Sequence, residues 1–293
     1  MLFDLRQSPG GHSGRQLNPV ARNKGREAMS ETVAVFPAPR PQIRRVAVDR
    51  PWTWLAAGWR DLAASPGISV AYGLIPVVIG WMSTLLMLWL DLPFLVLPLS
   101  AGFFFVGPFI AVGLYEVSRR REAGLVVDAK STLLAWRRNS SQIALLGALL
   151  LFFHLAWMRA AQLLFAIFEW RTVPSWDRFL ELVWHSSRSL PFLATGVAVG
   201  GVLAAIAFAI GAFSIPYLLD RRTSNVFEAI ATSVAAVRLN FRPMILWAAL
   251  IVVLVVLGMV PGLIGLIVAL PLVAYATWHA YREVVRFEGI EPD

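Results

Sequence analysis

Six stretches of the chain are apolar for long enough to cross a bilayer, and that recurrence limits the fold more than any other feature. A transmembrane helix needs about 20 mostly apolar residues. Such stretches run at about 68–90, 94–117, 141–160, 190–219, 243–260 and 263–282. Asp91-Leu92-Pro93 closes the first, Arg119-Arg120-Arg121 ends the second and Asp220-Arg221-Arg222 ends the fourth. Gly258-Met259-Val260-Pro261-Gly262 turns the fifth into the sixth. With 58% hydrophobic and only 15% charged residues among 293, the chain carries more apolar surface than one soluble core can bury. The expected fold is an all-α membrane protein of six transmembrane helices in residues 49–286, preceded by a basic, Pro-rich tail over residues 1–48. That tail lacks the apolar residues needed to offset its chain entropy and reads as disordered. Within it, Met29-Ser30 reads as a more natural start than Met1.

Orientation follows from the placement of Lys and Arg. Ten precede the first span, six lie between the second and third, four between the fourth and fifth, and two after the sixth, which makes 22 of the 26. Only Arg159, Arg171, Arg178 and Arg188 fall on the other side. Both termini are therefore expected in the cytoplasm. A net charge of +8 serves topology and contact with anionic headgroups, and nucleic acid is not an expected partner. The absence of Cys excludes disulfides and thiolate metal sites.

A unit recurs three times. Before each odd-numbered span stands a short amphipathic segment opened by Asp49, Asp128 or Asp220. In the first, Trp52, Leu55, Trp59 and Leu62 share one helical face, Asp49 is placed to cap and Pro51 suits the first turn. The third runs from Asn225, with Glu228 placed for a capping box and Phe227, Ile230, Val234 and Val237 on one face. The second, around Leu133 and Trp136, is shorter. Each ends in basic residues: Arg60; Arg137 and Arg138; Arg238 and Arg242. Such helices lie along the membrane surface, so each repeat reads as a cytoplasmic interfacial helix followed by a transmembrane hairpin. The expected anchors are Trp52, Trp54, Trp59, Arg60, Trp136, Arg137, Phe227 and Arg238. Gly196, Gly200 and Ala204 form a small-residue ridge on the fourth span, suited to a close helix contact within the chain.

Pro51-Trp52-Thr53-Trp54-Leu55-Ala56-Ala57-Gly58-Trp59-Arg60-Asp61-Leu62 resembles the opening of domain-of-unknown-function family 2189, a family of predicted bacterial integral membrane proteins. So do Ala101-Gly102 with Val106-Gly107-Pro108, Gly113-Leu114-Tyr115-Glu116 with Arg119-Arg120, and Pro271 through Ala276-Thr277-Trp278-His279 to Tyr281-Arg282. The resemblance spans roughly residues 43–286. It implies a Gram-negative inner membrane as the setting, and no catalytic residues can be carried over from it.

Ionisable residues inside a membrane are candidates for function, and few occur here. Tyr115, Glu116, Asp220, His279 and Arg282 are expected near one side of the membrane and make a candidate polar vestibule, with Glu116 pairing with His279 or with Arg282. The bland alternative for Glu116 and His279 is an interface anchor or an inter-helix hydrogen bond. His154 and His279 differ in depth by roughly 20 Å at about 1.5 Å of rise per residue, so one haem iron cannot take both. His154 with His185 makes a weak metal site. No cofactor is expected. The outer segment 173–188 reads as an amphipathic interfacial helix. No nucleophile elbow, phosphate loop or HExxH motif occurs. The leading expectation is a non-catalytic scaffold, assembly or accessory factor that contacts lipid and other inner-membrane proteins. The alternatives are a small transporter or lipid-handling protein with a cytoplasm-facing cavity, and a redox-complex subunit.

Overall fold

The computed structural model describes residues 41–90, 103–168 and 189–287. The segment 1–40 with Met29, the beginning of the second expected span and the outer segment 173–188 lie outside them. In order, the described elements are strand β1 (Gln42–Ile43) and helices α1 (Arg50–Ala64), α2 (Pro66–Trp89), α3 (Phe103–Glu122) and α4 (Ala129–Leu133). A 3₁₀ turn (Ala135–Arg138) leads into α5 (Ser140–Phe168), α6 (Ser189–Gly211), α7 (Ser214–Asp220), α8 (Val226–Leu239), α9 (Phe241–Met259), α10 (Leu266–Val284) and strand β2 (Val285–Arg286).

Among the described residues four stretches are long and apolar enough to cross a membrane: α2, α5, α9 and the run Leu190–Asp220 through α6 and α7. None of the apolar window in Leu190–Asp220 is buried within the protein, and in α5 only 11% is. Such faces would aggregate in water, and hydrocarbon covers them in a bilayer. Helices α3 and α10 are less apolar because their last turns carry Glu116 and Arg119–Arg121, and His279, Arg282 and Glu283.

The centre of the molecule is α10, whose residues Ala274–Thr277 and Trp278 are buried together with Ala280 and Tyr281. Helix α2 lies antiparallel to it. Ser69 Oγ meets Tyr275 OH at 2.8 Å near one end, and Trp81 Nε1 donates to Gly262 O at 2.7 Å near the other. Between these, Gly73 packs so closely that an added Cβ would stand 2.3 Å from the Ile267 carbonyl oxygen. Helix α1 reaches α10 by the same device, since a Cβ on Gly58 would meet the Ala276 backbone nitrogen at 2.8 Å. The turn from α9 to α10 has left-handed backbone at Gly262 (φ +64) and Leu263 (φ 71).

The amphipathic segments fold as helices next to the spans they precede, but the stripes of large apolar residues are not the faces they bury. Helix α1 buries Pro51, Trp54, Gly58 and Asp61, leaves Trp52 and Trp59 exposed, and half-buries Leu55 and Leu62. Helix α8 buries Val226, Ala229, Thr232, Ser233 and Ala236, while Phe227 is 78% exposed. Small residues allow close backbone approach to α10 and its neighbours, which leaves the large apolar side chains at the edges. The caps differ as well. Asn225 caps α8, accepting from Glu228 N at 2.9 Å, but Glu228 accepts from Tyr217 OH instead of returning the bond to the cap. Asp128 caps α4 through Ser131 N at 3.3 Å, whereas Asp49 makes no side-chain cap bond. Asp220 opens no helix: it is the buried last residue of α7.

The small-residue ridge of α6 does face a helix of the same chain, antiparallel α5. The neighbours there are side chains, Leu164 at 3.5 Å from a Cβ on Gly196 and Trp157 at 3.9 Å from one on Gly200. The backbones do not come into close contact, and Ala204 is exposed.

Residues 41–48, expected in the disordered tail, are instead ordered. β1 pairs antiparallel with β2, Gln42 opposite Arg286 and Ile43 opposite Val285. Arg44 N donates to Val284 O at 2.8 Å. The buried side chain of Asn240 completes the attachment, accepting from Val46 N and donating to Arg44 O, each at 2.9 Å. Pro- and Arg-rich composition is a local property, and these partners lie about two hundred residues away in sequence.

Candidate functional site

The charged residues gather where α3, α7 and α10 end and α1 lies across them. Glu116, 3% exposed, is held by its own helix. Arg119 donates through Nε and a terminal nitrogen at 2.7 and 2.8 Å, and Arg120 through Nε at 3.0 Å. Positions three and four residues on lie on the same helical face, so these pairs form without help from another element. The expected pairs of Glu116 with His279 or Arg282 do not form.

His279 turns instead to Asp61, with Nε2 2.8 Å from Oδ2. Asp61 also accepts from Ser118 Oγ at 2.6 Å and from Arg121 Nε at 2.9 Å. One buried carboxylate on α1 thereby ties that helix to both α3 and α10. Asp220, 2% exposed, accepts from Tyr281 OH at 2.8 Å and from an Arg282 terminal nitrogen at 3.4 Å. Arg282 also donates Nε to Glu122 at 3.1 Å, and Glu122 accepts from Trp278 Nε1 at 3.0 Å. Tyr115 enters through its ring, 6.5 Å from that of Trp278.

Of the five vestibule residues, then, only Asp220 and Arg282 meet directly. Asp61, Ser118, Arg121, Glu122 and Tyr281 complete the layer, and the sequence reading had not singled them out for it. Asp61 had a readable signal: it falls on one helical face with Trp54 and Gly58, where a solvated Asp has no place.

The expected anchors divide. Trp52, Trp59, Arg60, Trp136, Arg137, Phe227 and Arg238 are all exposed; Arg60 Nε rests 3.4 Å from its own Ala56 O, and the Arg137 guanidinium lies 5.8 Å from the centre of the Trp136 ring. Trp54 is no anchor. It is 2% exposed, donates Nε1 to Glu283 at 2.7 Å and meets the Trp247 ring edge-on at 5.9 Å.

Burial alone would push the Asp61 carboxyl up. Hydrogen bonds from His279 and Ser118, the charge of His279 and the bond from Arg121 outweigh it and hold the pKa below the ordinary 3.8. A carboxyl depressed by folding stabilises the fold above its unfolded pKa, and that contribution is lost as pH falls through the folded value. Docking of α1 is therefore expected to weaken below about pH 4, the unfolded range for Asp. Hydrogen exchange of the α1 amides checks this: protection falls with acidification in the native protein, and Asp61→Asn shows low protection without the pH step.

Among the described residues no three His, Asp or Glu side chains converge to hold a metal ion. Apolar helices too exposed for water and a basic end knotted by buried ion pairs define a polytopic helical membrane protein. Residues 96–220 match the model of a family described as predicted integral membrane protein (DUF2189), so the resemblance read from the sequence stands over those residues. Neither the curated proteins nor the solved structures provide a match to this chain.

Proposed function

We propose that this is a non-catalytic protein of the bacterial inner membrane, crossing it six times with both termini in the cytoplasm and acting as a scaffold, assembly or accessory factor. The observation that carries the reading is the saturation of the basic end. Asp61, Glu116 and Asp220 are each met by guanidinium, imidazole or hydroxyl groups of the chain itself. A carboxylate that handles protons or substrate sits in a cleft where it meets them; these three join helix to helix or brace a helix end.

Six crossings are supported by the path of the chain. β1 lies against β2, so the membrane domain is entered and left at one place and the number of crossings is even. Helix α2 runs away from the basic end for 24 residues, about 36 Å at 1.5 Å each. Helix α3 returns over that distance, because Arg121 near its end holds Asp61. Helix α10 returns likewise from the Gly262 turn to β2. The excess of Lys and Arg at this end supports its placement in the cytoplasm. A transporter with a vestibule here would need Glu116, His279 and Arg282 for its cargo, and their bonds are already committed.

Gentle affinity purification from native membranes, with protein and lipid mass spectrometry on one sample, tests the reading. Partner proteins in a fixed ratio are expected. A protein that purifies alone with a single enriched metabolite overturns the scaffold in favour of transport.

A further inference from the structure

The ordered strap at residues 41–46 brings together a group of side chains with no role in the ionic layer. Its backbone is bound on both sides, to Val284 and to the side chain of Asn240, and the side chains of Arg44 and Arg45 remain exposed. Asn240 is the joint between α8 and α9. Two positions before and after it stand Arg238 and Arg242, also exposed. Four exposed arginines thus stand on the two segments joined at one buried Asn, and among the described residues none of the four has a carboxylate partner. Beside them Leu239 is 39% and Phe241 61% exposed.

We propose that this patch binds the phosphate of an acidic phospholipid. The proposal rests on reading α9 as a membrane span, which places Asn240 where a surface helix turns into a crossing helix, level with the headgroups. Anionic lipid is drawn to clustered basic residues at that depth, and guanidinium forks fit phosphate oxygens two at a time. Phe241 and Leu239 argue for lipid over a free anion, since an acyl chain covers them and inorganic phosphate does not.

The test is native mass spectrometry of the full-length protein in mild detergent, titrated with phosphatidylglycerol or phosphatidylcholine. Removing each guanidinium is expected to weaken phosphatidylglycerol roughly fivefold, so R44Q/R45Q/R238Q/R242Q loses it by more than roughly a hundredfold while phosphatidylcholine is unaffected. The pairs R44Q/R45Q and R238Q/R242Q, expected to lose roughly 25-fold each, keep the test readable if the fourfold variant folds poorly. Asn240→Ala removes the strap's attachment to the α8–α9 joint with all four arginines present and is expected to weaken binding as well. Unchanged binding there makes the patch one of net charge alone and overturns a built site. Unchanged binding in both double variants overturns the site and leaves the membrane scaffold standing, whereas failure to partition into membranes overturns both. Inorganic phosphate that displaces the lipid at equal concentration overturns lipid as the ligand.

Discussion

Glu116→Ala is expected to destabilise the protein by about 3–5 kcal/mol, the range for breaking one side of a buried ion pair. Arg119, 7% exposed, loses the carboxylate that takes two of its hydrogen bonds at 2.7 and 2.8 Å, and removing bonds from a buried guanidinium is costly. The pair itself need not be a net source of stability, because desolvating both charges offsets most of their attraction. The double change Glu116→Leu with Arg119→Met is therefore expected to recover most of the loss. Unfolding titrations in micelles read both. A single variant within about 0.5 kcal/mol of the parent, the range of an inconsequential surface change, would refute the account of Glu116 as a structural brace.

Gly73→Ala is expected to cost about 3 kcal/mol, the upper part of the range for overfilling a packed interior. The new methyl carbon would stand 2.3 Å from the Ile267 carbonyl oxygen and 2.6 Å from its Cα, and backbone cannot swing aside as a side chain can. Helices α2 and α10 must part, and the Ser69–Tyr275 and Trp81–Gly262 bonds stretch with them. Gly201→Ala is the control: nothing lies within 4 Å of its added Cβ, and Ala in a helix is favoured over Gly by up to about 1 kcal/mol. Melting temperatures of the two variants in nanodiscs should move in opposite directions. Equal shifts would mean that the α2–α10 contact is looser than described.

The helices were legible because length and apolarity are properties of a segment alone. Within the described residues the expected spans fall on helices, the fourth on two of them, α6 and α7, and the turn at Gly262 and the cap at Asn225 fall where local chemistry puts them. Which face a helix buries was harder. Trp52 and Trp54 are alike in composition, and only the close approach at Gly58 makes Trp54 the inward one. The charged layer was legible in part of its membership and not in its pairing. Glu116, Asp220, His279 and Arg282 are all there, but their partners depend on α1 crossing the ends of α3 and α10. Asp61 shares a helical face with Trp54 and Gly58, but its partners show only with that contact. The strap shows the same limit at greater range, since nothing near Arg44 announces Asn240.

The position of α10 has a consequence for biogenesis. The helix around which α1, α2, α3 and α9 assemble comes after all four of them in the chain. Chains generally acquire structure from the N-terminus onward as they are made, but here the earlier helices enter the membrane without the element that joins them. Until Leu266–Val284 emerges, Asp61 lacks His279, Asp220 lacks Tyr281 and Arg282, and the backbone clefts at Gly58 and Gly73 stand open. Assembly is thus deferred until α10 has been made, and a nascent chain cut short before it leaves Asp61 and Asp220 without these partners.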